Sequence, residues 1–188
     1  VTVTVTGEND APTALGAIAT QNGTDSQTIT PLDLSGFFTD VDASDSLTFS
    51  DGGTLPTGLS IDANSGIVSG LIAANASTGS PYAVVITAND GNGGIVTQSF
   101  TWNVTNPAPT ANPDGFAADE DDAAAFIGNA LTNDTDSDGD TLTAIAQTGI
   151  AGSNGGLFSI AANGDVTFNP NGAFESLAVG ETATTSFT

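Results

Sequence analysis

The chain has 188 residues, of which 22 are Asp or Glu and none is Lys, Arg, His or Cys, so its formal net charge is −22. Without cationic side chains it has no electrostatic means of binding nucleic acid or an anionic membrane. The lack of Cys and His removes disulfides, thiolate chemistry and the commonest general base, which argues against an enzyme. No apolar run approaches the ~20 residues of a membrane-spanning helix, and no signal peptide is recognisable, so no membrane insertion is expected.

Alternating apolar and polar residues predict a series of short β-strands. In chain order these cover residues 1–6, 47–49, 59–61, 67–69, 82–87, 96–104, 142–145, 157–160 and 166–168. Asn-Gly, Asp-Gly and Gly-Gly turn signals lie between many of them. No long stretch has the 3.6-residue period of a helix. Short strands at this spacing predict an all-β fold of antiparallel sandwiches.

Two stiff, proline-containing segments, residues 7–12 and 106–113, divide the chain. The expected organisation has three parts. Residues 1–7 form the terminal strand of a preceding repeat or a donor strand, residues 8–105 form a sandwich of single-domain size, and residues 106–188 form a second, partial sandwich.

The acidic residues indicate a cation. There are 18 Asp against 4 Glu, and Asp is the residue that supplies cation ligands from loops at close spacing. Two carboxylates 4 Å apart repel by about 4 kcal/mol at an effective dielectric constant near 20, and no cationic side chain relieves this repulsion. Screening by dissolved Na⁺ is one solution. Bound Ca²⁺ is the other, and the bunching of the Asp residues favours it.

Two parts of the chain resemble bacterial cadherin-like repeats. The stretch 55–70, Leu-Pro-Thr-Gly-Leu-Ser-Ile-Asp-Ala-Asn-Ser-Gly-Ile-Val-Ser-Gly, resembles the signature of the dystroglycan-type cadherin-like module, and that resemblance covers residues 12–105. The stretches 133–142 and 171–184 resemble the VCBS or bacterial cadherin-like repeat of RTX adhesins. The resemblance implies tandem Ig-like or cadherin-like β-sandwiches that act in extension, adhesion or carbohydrate binding. It places the protein outside the cell, secreted or at the cell surface.

The cadherin resemblance also implies calcium ligands in the first module. Asp40 and Asp42 match a DxD motif that Asp45 follows, and Asp90 matches an AxDxG motif. Further ligands are expected from the linker, which contains Glu8, Asn9 and Asp10. In a sandwich these groups would converge at the end that receives the linker, where loops supply the six to eight oxygens that Ca²⁺ needs. The alternative is that all of them are solvated turn residues.

In the second module, Asp134, Asp136 and Asp138, followed by Gly139, reproduce positions 1, 3, 5 and 6 of an EF-hand loop. Ile145 stands where the bidentate Glu of position 12 belongs. A completing ligand would come from Asp140, Asp114 or the acidic run 119–122. The expected cofactor is again Ca²⁺, and the alternative is a solvated acidic hairpin.

Three aromatic residues, Tyr82, Phe100 and Trp102, lie in predicted strands. They are expected in the core, but a platform for stacking sugars is the alternative, with a polysaccharide or a cell-surface glycan as the partner. This second reading makes the protein an extracellular carbohydrate-binding module.

The segment 1–6, Val-Thr-Val-Thr-Val-Thr, resembles the last strand of a VCBS-type repeat. One explanation is that the chain is part of a long tandem array, whose partners are neighbouring repeats of the same chain. The other is that this strand completes an open sheet edge in an identical subunit and so builds a head-to-tail fibre.

Overall fold

The computed structural model describes residues 1–42 and 44–188. These residues form two compact units, Val1–Pro107 (unit 1) and Ala108–Thr188 (unit 2). No helix among them has the length and apolar character to cross a membrane. The expected all-β class is confirmed, since apart from two 3₁₀ turns, Ser35–Phe37 and Ala76–Gly79, the regular structure consists of strands.

Unit 1 contains nine strands in three sheets. A four-stranded sheet has the order β2-β9-β8-β5, a three-stranded sheet the order β3-β7-β6, and β1 pairs with β4. The strands are β1 (Thr13–Ala14), β2 (Gln21–Thr24), β3 (Leu32–Asp33), β4 (Phe38–Thr39), β5 (Thr48–Ser50), β6 (Leu59–Ile61), β7 (Ile67–Gly70), β8 (Tyr82–Asn89) and β9 (Ile95–Thr105). The pairings are antiparallel except for β2 with β9, which is parallel. The expectation of purely antiparallel sheets is wrong at that edge.

The long hairpin β8–β9 carries the core of unit 1. Its alternation places Phe100, Trp102 and Val104 inside, as the period of two predicts. Side chains from both larger sheets join them in one cluster of buried apolar residues: Ile18, Leu34, Phe38, Phe49, Leu55, Val68, Ile72, Ala76, Val84, Ile86, Ala88, Phe100, Trp102 and Val104. A buried cluster of fourteen residues between two sheets is the core expected of a β-sandwich.

The hairpin β6–β7 requires glycine at two positions. Gly58 has φ +95° and Gly70 has φ +133°, a region that residues with a side chain rarely adopt. A side chain at Gly58 would overlap the carbonyl oxygen of Leu71, and one at Gly70 would overlap the carbonyl oxygen of Gly58. Gly58 and Gly70, two of the three glycines in the stretch 55–70, are therefore needed for close approach of two backbones.

Unit 2 contains a single four-stranded antiparallel sheet with the order β10-β13-β12-β11. Its strands are β10 (Ala125–Asn129), β11 (Gln147–Ala151), β12 (Leu157–Ile160) and β13 (Asp165–Asn169). Only Phe158, Val166 and Phe168 are buried in its hydrophobic cluster, while Ile127, Ile150, Ile160, Phe174 and Phe187 are partly buried. One face of this sheet is therefore incompletely covered.

Two segments outside these sheets are extended and exposed. Residues 1–10 and 108–119 expose their side chains, and the strand predicted at 1–6 pairs with no described strand of unit 1. The strand predicted at 142–145 is wrong. The amide of Ala144 donates to the carbonyl of Ala162, but no ladder forms there.

Candidate metal centre

Pairing of β1 with β4 brings the linker beside the DxD motif. Thr13 lies opposite Thr39 and Ala14 opposite Phe38. Continuing this antiparallel register toward the N-terminus places Asp10 opposite Asp42. The Asp10 amide donates to the Asp42 carboxylate at 2.8 Å. Local strand pairing thus positions the linker that the sequence predicted at this end.

Three of the expected ligands converge. Carboxylate oxygens of Asp40, Asp45 and Asp90 all lie within 4.8 Å of one another. Asp40 follows β4, Asp45 lies in the loop before β5, and Asp90 follows β8, so three chain segments meet at one end of unit 1. In residues 1–42 and 44–188 this is the only group of three or more acidic residues that comes so close. We call it the acidic triad.

Asp90 is both a turn residue and a member of the triad. It is buried and closes the β8–β9 hairpin, because its carboxylate accepts hydrogen bonds from the amides of Asn92 (2.7 Å) and Gly94 (2.9 Å). The side chain of Asn9 donates a third at 3.0 Å. This bond from Asn9 holds the pKa of Asp90 below its ordinary value, burial opposes it and the loop amides reinforce it. Asp90 is therefore an anion at neutral pH.

Asp40 carries the orphaned atom of the triad. Its Oδ1 accepts the Asp42 amide at 2.9 Å, but its Oδ2 is buried and accepts no hydrogen bond. Burying a charged oxygen without a partner is costly, and the chain has no Lys, Arg or His to supply one. The donor set is all oxygen, which is the set that hard cations such as Ca²⁺ prefer. The residues present therefore fit a calcium ion.

Of the remaining expected ligands of unit 1, Asp42 and Asn9 are hydrogen-bonded to members of the triad, and Asp10 is hydrogen-bonded to Asp42. Asp42 accepts the Asp10 amide, and Glu8, Asn9 and Asp10 have exposed side chains. Asn9 presents its amide nitrogen to Asp90. The side chain of Asn92, which motif reasoning did not single out, donates to Asp45 Oδ2 at 3.0 Å.

In unit 2 the aspartates form a second acidic loop with a related arrangement. The Asn112 amide donates to Asp134 Oδ1 at 2.7 Å, and an antiparallel bridge joins Thr110 to Thr135. The segment after residue 108 thus lies beside Asp134 as the segment before residue 12 lies beside Asp42. Burial and the charge of Asp134 both raise the pKa of Asp114, so Asp114 lies near this loop.

Asp136 and Asp138 form a close carboxylate pair. The loop folds so that the Asp138 backbone amide donates to the Asp136 carboxylate oxygen Oδ1 at 3.1 Å. Both carboxylate oxygens of Asp138 are buried and accept no hydrogen bond. When protonated, the Asp138 carboxyl can donate to the Asp136 carboxylate, and this raises the pKa of Asp138, to which burial and the charges of Asp136 and Asp140 add. The same hydrogen bond lowers the pKa of Asp136.

Asp25 is a buried acid that the sequence did not reveal. It is 3% exposed, its Oδ1 accepts the Ser77 amide at 2.8 Å, and its amide donates to Thr105. Its Oδ2 accepts no hydrogen bond. The residue lies in a turn after β2, at the other end of β9 from Asp90, and nothing in its motif context distinguishes it from a solvated turn residue.

The three aromatic residues do not form an exposed platform. Trp102 and Phe100 are buried, and Tyr82 is half-buried with its hydroxyl donating to the Ala76 carbonyl at 2.7 Å. The expectation that they belong to the core is confirmed. The sugar-stacking alternative loses the surface on which it depended.

The sheets and their buried core define an all-β protein whose unit 1 is an Ig-like sandwich. Residues 11–105 match the family described as "Putative Ig domain", which makes the chain a member of that family. Residues 106–188 match the family described as "Bacterial cadherin-like domain". No curated protein matches the chain significantly.

Solved structures give distant likenesses. Drosophila N-cadherin EC1-4 is 18% identical, with a TM-score of 0.45, over 86% of this chain and 41% of that one. Human protocadherin-24 EC1-2 is 21% identical, with a TM-score of 0.43, over 86% and 78% respectively. An endo-fucoidan hydrolase of glycoside hydrolase family 107 is 16% identical, with a TM-score of 0.44, over 88% of this chain and 25% of that one. The chain spans 41% of the Drosophila N-cadherin structure and 40% of a structure of protocadherin gamma B7 extracellular cadherin domains 1-4.

Proposed function

We propose that the protein is a calcium-stiffened, non-catalytic extension module of a secreted or surface-attached adhesin of the RTX type. In this proposal residues 8–105 and 106–188 are two successive sandwiches of a repeat array. Their partners are neighbouring repeats, which fits the cadherin-like class of the chain. Calcium would order the loops and linkers and so limit bending between repeats.

The observation that carries the proposal is the acidic triad. Three carboxylates approach within 4.8 Å, Asp40 Oδ2 is buried without a donor, and the chain contains no cationic side chain to neutralise them. Asp40, Asp45 and Asp90 would hold the ion, with Asp42, Glu8, Asn9 and Asp10 as the candidates to complete its shell. The Asp134–Asp140 loop would hold a second ion through Asp134, Asp136, Asp138 and Asp140.

The test is a thermal melt of the whole chain in EDTA and in 10 mM CaCl₂. Extracellular calcium modules bind with Kd of about 10⁻⁴–10⁻³ M, so calcium at roughly 10 to 100 times its Kd stabilises by about 1.4–2.7 kcal/mol. For a domain of about 100 residues that corresponds to a rise in Tm of roughly 5–20 °C. NaCl at the same ionic strength should give a clearly smaller rise in Tm.

Asp40→Asn separates a metal ligand from a structural carboxylate. Removing one charge relieves repulsion in the triad, so Tm in EDTA should rise, while the gain from calcium should fall. Asp62→Asn is the matched control, because Asp62 is an exposed acid that only accepts hydrogen bonds from Asn64 and Ser65 in its own turn. Its calcium response should equal that of the wild type. Equal Tm in EDTA and in calcium for the wild type would overturn the proposal.

A further inference from the structure

The chain contains Asn-Gly pairs at residues 22–23, 92–93, 154–155, 163–164 and 171–172. Asparagine is a thermolabile residue, because the backbone nitrogen of the next residue can attack its side-chain carbonyl carbon. Glycine in the second position hinders this attack least, since it has no side chain. The attack requires the two atoms to approach to about 3–3.5 Å. The fold therefore decides which of these pairs can react.

Three of the pairs are held by regular backbone hydrogen bonds. Gly155 and Gly164 each donate their amide to the carbonyl three residues earlier, at 3.1 Å and 2.9 Å respectively. Gly23 lies within β2, where it pairs with Val104 in the parallel ladder. A backbone amide fixed in this way is not free to turn toward the preceding side chain. These three pairs should react slowly in the folded chain.

The pair Asn92-Gly93 lies open in the loop between β8 and β9. Both residues are exposed, and no atom outside the adjacent chain lies within 4 Å of the Cβ position of Gly93, whose φ is +112°. In the part of the chain that the structure describes, no backbone carbonyl accepts the Gly93 amide. This amide faces the Asp90 carboxylate, but of the loop amides it does the least to lower the pKa of Asp90. The Gly93 nitrogen is thus only weakly held.

The Asn92 side chain lies against the acidic triad. Its Nδ2 donates to Asp45 Oδ2 at 3.0 Å, so a neutral donor stabilises one of the three carboxylates. An ionised aspartate in its place would have no hydrogen to donate and would put another negative charge beside Asp45. Carboxylates at such short distances repel one another strongly unless a cation offsets their charge. The chemical state of Asn92 therefore sets the charge of the site.

We propose that Asn92 is a site of spontaneous deamidation, which converts the acidic triad into a cluster of four carboxylates. The Gly93 nitrogen bonds to Cγ of Asn92, the Cγ–Nδ2 bond breaks, and the Gly93 proton leaves with the amide nitrogen as ammonia. Water then opens the cyclic succinimide at either carbonyl and yields aspartate or isoaspartate. No electrons are transferred, and water is the co-reactant. The modification itself does not require calcium, whereas its effect on calcium binding rests on the proposed function.

The first experiment follows deamidation of the full chain during incubation at mildly alkaline pH, by mass spectrometry of peptic peptides. In the folded chain Asn92 should convert several times faster than Asn154 and Asn163. Asn171 should also convert, because no backbone carbonyl in the described part of the chain accepts the Gly172 amide. In the urea-unfolded chain all of these residues should convert at similar rates, because each precedes glycine. If Asn92 stays intact in the folded chain, or converts no faster than Asn154 and Asn163, the proposal is wrong.

The second experiment measures the consequence with variants of Asn92, melted in EDTA and in 10 mM CaCl₂. Asn92→Asp has the charge of the product, so its Tm in EDTA should lie below that of the wild type by roughly 4–8 °C, and its gain from calcium should be larger. Asn92→Gln keeps an amide donor and closes a ring far less readily. It should keep its mass during incubation and melt close to the wild type.

Asn22→Asp is the matched control for added charge. The Asn22 side chain accepts a hydrogen bond from Asn103 at 3.1 Å, which an aspartate can also accept, so its Tm in EDTA should stay close to that of the wild type. Equal Tm values in EDTA for Asn92→Asp and Asn22→Asp would overturn the four-carboxylate cluster. A lower Tm for Asn92→Asp with no response to calcium in any variant would support the cluster and contradict the proposed function.

Discussion

Gly94 shows how a single residue shapes the acidic triad. A side chain at this position would overlap Asp90 Oδ2, and its Cβ would lie 2.7 Å from the Cα of Ala11. The Gly94 amide is also one of the donors that fix the Asp90 carboxylate. The absence of a side chain here therefore lets the hairpin, the linker and the triad occupy the same small volume.

We expect Gly94→Ala to displace Asp90 or Ala11, because neither backbone nor carboxylate can give way freely. Overpacking of this kind typically costs about 1–3 kcal/mol, and the variant should also lose most of its stabilisation by calcium. Urea unfolding with and without CaCl₂ measures both effects. Gly36→Ala is the control, since no atom lies within 4 Å of its Cβ position. A Gly94→Ala protein with the wild-type calcium response would contradict this role for Gly94.

Among the elements, the hairpin β6–β7 depends most on a local requirement of the backbone. Gly58 precedes β6 and Gly70 ends β7, and Leu59 pairs with Gly70. Their positive φ values and the close approach of the Leu71 carbonyl to Gly58 leave no room for Cβ. The hairpin supports Val68, which is fully buried in the core of unit 1.

Gly58→Ala should therefore destabilise unit 1 by roughly 1–3 kcal/mol or more, the usual cost of a residue held in a sparsely populated backbone region. Tryptophan fluorescence during urea unfolding measures it, because Trp102 lies in the same core. Calcium should still raise the stability of this variant, since the atoms nearest a Cβ at Gly58 belong to Leu71 and Ala73 and not to the triad. A stability equal to that of Gly36→Ala would show that the strain is absent.

The strands that the sequence predicted well are those whose own residues alternate between apolar and polar. Strands β6 and β12 have the predicted bounds, and β8 and β9 extend the predicted runs by one or two residues. Strands β1, β3 and β4 contain two residues each. Such strands exist because a partner is nearby, so no local periodicity could reveal them. Residues 142–145 alternate like a strand but find no neighbour, and pattern alone cannot distinguish the two cases.

The acidic triad was partly predictable, because its members lie in recognisable sequence motifs but their partners do not. The resemblance to cadherin motifs identified Asp40 and Asp90, which are 50 positions apart in the numbering, as groups that a sandwich brings together. The support from Asn92 and the orphaned Oδ2 of Asp40 follow from tertiary packing. The position of the buried Asp25 depends on the parallel pairing of β2 with β9. No motif in the sequence predicts that pairing.

At the scale of the whole molecule, the two units differ most in their cores. Fourteen apolar residues are buried in the cluster of unit 1 and three in that of unit 2. Stabilisation by the hydrophobic effect grows with the apolar area removed from water. Unit 2 is thus expected to be the less stable unit.

We expect unit 2 to unfold at a lower temperature than unit 1. Trp102 is the only tryptophan and lies in unit 1, so its fluorescence reports that unit alone, whereas far-ultraviolet circular dichroism reports both. The dichroism transition should begin at a lower temperature than the fluorescence transition. Coincident transitions at the same Tm would show that the smaller core does not limit unit 2.

The exposed extended segments at residues 1–10 and 108–119 have the accessibility that proteases seek in a substrate. Enzymes of the trypsin type cut after Lys or Arg, and this polypeptide offers them neither at any position. These two exposed segments, which proteases would otherwise cleave first, therefore contain no site for trypsin-type enzymes. Where trypsin-type proteases are abundant, the segment 108–119 would resist them even though it is exposed and extended.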